Sequence, residues 1–214
     1  GYGYGIWAPT FMVRNFDMTL AHAGLSFGLA SGIFAAAGSI FSGFYCDKLC
    51  QKDTRWQLRM PMIGVLISIP FGCGFLFWSA DAIWQLGNIK IPHAILFAAG
   101  FSFFNSWWPT LSFAAVSKLV NSKQRATSVA MLALFLTLFG AGIGPLLTGT
   151  FSDLFSEGDA GEGLQHAIFV MLLMLVGSAF LYYKAIGPYH KHMTEMGIIT
   201  DKAAEDERSS SASN

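Results

Sequence analysis

The densest group of ionisable side chains in this chain is Asp47-Lys48, Lys52-Asp53, Arg55 and Arg59, set between two long runs that carry no charge. An acid among bases beside an apolar run forms partly solvated ion pairs that are individually weak, and the bases suit lipid headgroups equally well. A second chemistry-bearing residue stands alone. Asn105 is an amide in the middle of an uncharged run, costly to bury without a partner. That partner is a bound solute or a neighbouring helix, and the residues alone leave both open. Cys46 and Cys50 lie four apart with no further Cys or His beside them to complete a metal site, so they read as small packing residues. His93 and His166 fall near the ends of uncharged runs, where interfacial placement accounts for them. No Ser/His/Asp set, no HExxH motif and no pair of acids inside a run points to hydrolytic or metal chemistry. No metal and no cofactor is expected. Lys and Arg balance Asp and Glu at 13 each, and no basic domain suggests nucleic acid.

The elements that must carry these residues follow from five stretches, 18–46, 60–80, 91–117, 126–152 and 163–183, that contain no Asp, Glu, Lys or Arg. A helix of about 20 mostly apolar residues crosses a hydrocarbon core of roughly 30 Å, and each stretch reaches that length. Lipid offers backbone groups no hydrogen bonds, so each stretch is predicted as a helix rather than an open strand. Only 12% of the residues are charged, against about 25% in a soluble domain. The chain is therefore predicted to be an all-α membrane protein, with spans near 21–45, 60–80, 91–117, 126–151 and 164–185. Residues 1–13 are uncharged but too short to span, and they start inside an apolar run with Gly rather than Met. The expectation is a truncated helix over about 1–14, in the C-terminal part of a longer protein.

Basic residues collect on the cytoplasmic side of short loops. Lys48, Lys52, Arg55 and Arg59, then Lys118, Lys123 and Arg125, then Lys184 and Lys191 fall on one face, against Arg14 and Lys90 on the other. Asp153, Glu157, Asp159 and Glu162 share a loop on that other face with no base among them. This places the loop after residue 46 and the C-terminus on the inner side of a cytoplasmic or plasma membrane. Residues 189–214 are polar and are predicted as a disordered cytoplasmic tail.

Small residues mark where the spans should pack or bend. Gly24, Gly28 and Gly32 recur every four residues and line one side of a helix, a spacing that lets two membrane helices approach closely. Pro70, Trp107-Trp108-Pro109 and Gly142-Ile143-Gly144-Pro145 lie inside spans, where a proline removes a donor and crowds the preceding turn. A bend or loosened segment is expected at Gly142, Gly144 and Pro145.

Gly43-Phe-Tyr-Cys-Asp47-Lys48, followed by further bases, resembles the signature loop of the major facilitator superfamily. More narrowly, three segments resemble the Spinster-like branch. They are Trp7-Ala-Pro-Thr-Phe with Arg14, Asp53-Thr-Arg55-Trp56 with Pro61, and Arg125-Ala-Thr-Ser leading to Gly142-Ile-Gly144-Pro145, Gly149 and Ser152-Asp153. The resemblance covers about residues 1–188. Departures are Lys48 where Arg is usual, Cys50 where Gly is common and Gln51 where a base is common.

The resemblance implies a C-terminal six-helix bundle, helices 7 to 12 of a twelve-helix fold, over 1–188. It implies a secondary transporter, not an enzyme, that moves a small amphipathic or anionic solute by alternating access. Lysolipids, sphingoid phosphates and organic acids are the classes it suggests, and any proton coupling would run through the half outside this chain. Gly43, Asp47, Lys48, Lys52 and Arg55 become candidates for a gate loop, with Asp47 pairing to Lys48, to Arg55 or to a helix N-terminus of the other half. Tyr4, Trp7, Asn105, Trp108 and Thr137, with Tyr2, become candidates for the wall of a solute cavity. An accessory membrane subunit, assembled through the glycine faces, is the alternative, and a lipid-acting enzyme ranks below it.

Overall fold

A computed structural model describes residues 1–79, 83–86, 89–156 and 160–195. Helix α1 (Tyr2–Asn15) turns tightly into α2 (Leu20–Cys50). The turn holds Asp17 at φ 51°, a left-handed conformation that a short polar side chain tolerates. Thr19 Oγ1 then accepts from the His22 N–H to cap α2. Helix α3 (Trp56–Phe77) follows the basic loop and stays continuous through Pro61 and Pro70. Beyond the next segments come α6 (Arg125–Phe135), a π-helical segment (Leu136–Ile143), α7 (Gly144–Phe155) and α8 (Ala160–Glu195).

Four of these rods are long and apolar enough to cross a membrane: Leu20–Cys50, Trp56–Phe77, Arg125–Phe155 and Gly161–Glu195. The span expected at 91–117 is different. Its first residues belong to an antiparallel hairpin, β1 (Ile83–Leu86) with β2 (Ile89–Pro92), in register Ile83↔Pro92. The remainder is divided into α4 (Ala94–Asn105) and α5 (Trp107–Leu119), with Ser106 between them. Pro109 explains the break: it has no N–H to give to the Asn105 carbonyl, and its ring crowds that turn. Ser106 keeps right-handed helical angles (φ −69°, ψ −13°), so the interruption is a local bend in the ladder. Side chains repair it, since Ser106 Oγ donates to the Phe103 carbonyl at 2.8 Å and Thr110 Oγ1 to the Ser106 carbonyl at 3.1 Å.

The bend expected at Gly142, Gly144 and Pro145 takes the form of the π segment directly before Gly144 and Pro145. A π turn is a local widening that often accompanies function. The C-terminal boundary also differs. Residues 189–195, expected to begin a disordered tail, continue α8, because Tyr189 and Met193 sit one turn apart and bury against Leu58 and Ala115. The remainder of the expected tail, 196–214, lies outside the described residues.

The core gathers around α3. Of its most apolar window 44% is buried, whereas none of the corresponding window in Arg125–Phe155 is, and only 11% in α2. Phe75 of α3 is fully buried among Tyr4, Phe11 and Phe27. Polar ties fix the packing where lipid would supply none. Buried Gln57 donates to the Leu111 carbonyl at 3.1 Å and accepts from Lys118 Nζ at 2.8 Å. Ser112 and Tyr182 share a hydrogen bond of 2.6 Å between α5 and α8, and Gln165 donates to the Leu76 carbonyl at 2.8 Å.

Helix α2 meets α4 through a glycine other than the three expected. A Cβ on Gly38 would collide with the Phe103 carbonyl and Ser106 Oγ, so only glycine permits that approach. Gly24, Gly28 and Gly32 face open space within this chain.

Candidate functional site

Three elements line one side of an open cavity of about 530 Å³: the start of α1, the middle of α2 and the α4–α5 bend. Helix α1 contributes Tyr2, Tyr4, Gly5 and Ile6, and the bend contributes Phe101, Ser102, Asn105, Ser106, Trp108 and Pro109. From α2 come Phe27, Ser31, Gly32, Ala35 and Ser39. Four of those α2 residues, Phe27, Ser31, Ala35 and Ser39, recur at intervals of four and so form one stripe down the helix. No Asp, Glu, Lys, Arg or His side chain is among the described residues that line the cavity.

Tyr4 is 2% exposed, with its ring centroid 4.0 Å from that of Phe101 and the two planes tilted by 37°. Its hydroxyl is buried without a hydrogen-bond partner, and so is Asn105 Oδ1. Buried polar atoms are seldom left in that state. The serines differ, because Ser31 Oγ donates to the Phe27 carbonyl at 2.6 Å and Ser106 Oγ to that of Phe103. Their protons are committed to the backbone, and their lone pairs remain to accept.

Of the expected cavity residues, Tyr4, Asn105 and Trp108 are brought together here, with Tyr2. Trp7 and Thr137 are not. Trp7 lies between α1 and α7, where its Nε1–H donates to the Pro145 carbonyl at 3.0 Å and its ring lies over Gly149. Thr137 is exposed, within the π segment. The extra residue of a π turn rotates the faces around it, so a count by 3.6 residues per turn no longer tells which way Thr137 points. The α2 stripe was missed because serine among glycine and alanine reads as packing. Its four-residue recurrence was the available signal.

The candidate gate loop lies at the other end of α2. Asp47 and Lys48 are exposed in the last turn of that helix, and Lys48 Nζ sits 4.3 Å from the centre of the Phe44 ring. The expected pairing of Asp47 with Arg55 is not formed. Asp53 takes that place: its Oδ1 accepts from the Arg55 backbone N–H at 2.9 Å and lies 4.0 Å from Arg55 Nε, and its Oδ2 pairs with Arg59 at 3.2 Å. A carboxylate two residues before Arg55 reaches that N–H by a local turn, whereas Asp47 is held back by a helix that continues to Cys50. Lys52 is exposed, and Gly43 has open space where a Cβ would stand. The Cys46 and Cys50 sulfur atoms lie 3.4 Å apart on one turn. Among the described residues no group of three or more His, Cys, Asp or Glu is gathered to hold a metal ion.

No family model matches the chain. An MFS-type efflux pump from Mycolicibacterium smegmatis is 29% identical over 197 residues, which cover 91% of this chain and 43% of that protein. Among solved structures, a bacterial homologue of the human lysosomal transporter Spinster, in an inward-facing and occupied conformation, matches with a TM-score of 0.65. That match has 20% identity and covers 88% of this chain and 46% of the other. The chain thus spans under half the length of these two proteins.

Proposed function

We propose, from the premise that this chain covers part of a major facilitator superfamily transporter, an integral membrane protein, that its helices form the C-terminal half of a secondary active transporter. The cavity between α1, α2 and the α4–α5 bend carries this reading. It has uncharged polar atoms in want of partners, on an otherwise apolar wall, at the middle of the expected spans. In this reading the helices outside the chain supply the opposite wall, and the two halves rock to open the cavity to one side at a time. The solute is a small amphipathic or anionic compound.

The basic end then faces the cytoplasm and forms half of an inner gate. Asp53 fixes Arg55 and Arg59, while exposed Asp47 and Lys48 are presented to the opposite half. Such partly solvated contacts are individually weak, at about 0–1 kcal/mol, as a latch that opens every cycle requires. The π segment and Pro145 supply a place where the rod Arg125–Phe155 can flex. No acid or base stands in the middle of an expected span, so a proton relay, which needs an intramembrane ionisable group, belongs to helices outside this chain. The exposed stripe of Gly24, Gly28 and Gly32 is then a face for the opposite half.

Solute flux by the intact transporter in sealed vesicles tests the proposal. Asn105→Ala should lower flux while leaving insertion unchanged. A transporter that moves no solute of a broad panel, yet binds another membrane protein one to one, would favour the accessory-subunit reading. Impermeant labelling of cysteines placed at Arg55 and Ser156 tests the orientation, and modification of both from one side would overturn it.

A further inference from the structure

The lining of the cavity allows its solute to be described more closely, given the transporter reading above. We infer that this wall recognises an uncharged hydroxyl carried on an apolar body, with Tyr4 and Asn105 as the residues that read it. The first ground is charge. No acidic, basic or histidine side chain is among the described residues lining the cavity, and an ionised group brought against such a wall loses its water without gaining a counter-charge.

The second ground is the balance of donors and acceptors. Asn105 Oδ1 is a buried acceptor without a donor. Ser31 and Ser106 have spent their protons on the backbone and can only accept. Tyr4 Oη, 98% of whose residue surface is covered, is an unpartnered hydroxyl that can donate, and the Asn105 amide adds the N–H donors of its Nδ2 beside the unpartnered Oδ1. A carboxylate or phosphate dianion could accept from Tyr4 and from Asn105 Nδ2, but it brings no proton to Asn105 Oδ1 or to the lone pairs of Ser31 and Ser106. A hydroxyl both donates and accepts, so it can serve either kind of partner. An ammonium could satisfy the acceptors but leaves the Tyr4 proton unused.

The third ground is the remainder of the surface. Tyr4, Phe27, Phe101 and Trp108 bring aromatic faces to a space of about 530 Å³, which suits a flat or aliphatic body. Where the solute is amphipathic and charged, this wall holds its neutral part and the charge is met outside this chain.

Four probes of one shape decide the matter: 1-naphthol, naphthalene, 1-naphthoate and 1-naphthylmethylammonium. Their binding to the intact transporter in lipid nanodiscs is measured against empty nanodiscs, for the natural protein, Tyr4→Phe and Asn105→Leu. 1-Naphthol should bind tightest. Tyr4→Phe, which keeps the ring, should weaken 1-naphthol about fivefold to tenfold and leave naphthalene unchanged. Asn105→Leu should narrow the gap between the two in the same way. Tighter binding of 1-naphthoate or of the ammonium probe would overturn the inference, as would equal weakening of 1-naphthol and naphthalene, or binding of none of the four. Vesicle flux reads the transporter proposal separately, so the two can fail independently.

Discussion

The indole N–H of Trp7 donates to the carbonyl of Pro145 at 3.0 Å, joining α1 to the first turn of α7 just after the π segment. This is a fixed point beside the least buried of the four long rods among the described residues. Glycines make the approach possible, since a Cβ at Gly3 would press on Thr148 and Gly144, and one at Gly149 would meet the Trp7 ring at 3.2 Å.

Trp7→Phe should keep the ring and lose the hydrogen bond, costing about 1 kcal/mol of stability. Its more telling effect should be local. Amide exchange within Leu136–Ile143 should rise in the variant while exchange in α3 does not. Equal change in both would mean that Trp7 supports the bundle as a whole rather than the bend.

The glycines of α2 should separate into two kinds. Gly38→Ala forces a methyl group against the Phe103 carbonyl, a backbone atom that cannot swing aside, and should destabilise the protein by about 1–3 kcal/mol. Gly28→Ala enters open space within this chain and should leave the packing of this half intact. Thermal unfolding in detergent compares them. A Gly38→Ala protein as stable as Gly28→Ala would show that the close approach of α2 to α4 is not maintained.

The hydrogen-bonded Gln57 is the buried polar keystone at the basic end, 2% exposed and shared between the Leu111 carbonyl and Lys118. Gln57→Leu fills the space but leaves the carbonyl and the ammonium without their partner, at a cost of about 1–3 kcal/mol. Adding Lys118→Met should recover part of that loss, because the stranded charge is gone. A double variant no more stable than the single one would remove Lys118 from the account.

How far these features could be read from residues alone differs by element. Membrane-crossing rods announce themselves because charge is excluded from lipid, and the rods α2, α3 and Arg125–Phe155 follow the uncharged runs to within a few residues, while α8 contains its run and continues past it. The division at Ser106 was harder. Pro109 signals it, but an uncharged run does not reveal whether a proline bends a span or divides it, since α3 absorbs Pro61 and Pro70 without a break. The hairpin was partly legible, since Ile83-Trp84 and Ile89-Lys90-Ile91 are short segments with β-branched and aromatic residues. It was hidden by the habit of joining apolar residues into one helix. Tyr189 and Met193 carry α8 onward by contacts with Leu58 and Ala115, which only the folded chain brings near. At the site, Tyr4, Asn105 and Trp108 were found by type, whereas the α2 stripe was missed, its four-residue period being the signal that could have shown it.

The last prediction separates structure from gating at the basic end. Asp53 holds two arginines but is about one-third exposed, as is Arg59, so Asp53→Asn should cost no more than about 1 kcal/mol, and less in high salt. Asp47 is exposed and forms no ion pair among the described residues. Asp47→Asn should therefore leave thermal stability within about 0.5 kcal/mol of the natural protein, the usual effect of a surface change. If Asp47 closes the inner side against the opposite half, its loss should still slow flux severalfold and raise labelling of a cysteine at Ser39 from the cytoplasmic face. Unchanged flux and labelling would reduce Asp47 and its basic neighbours to an anchor at the headgroups, and Asp53 would then be the acid that matters in this loop.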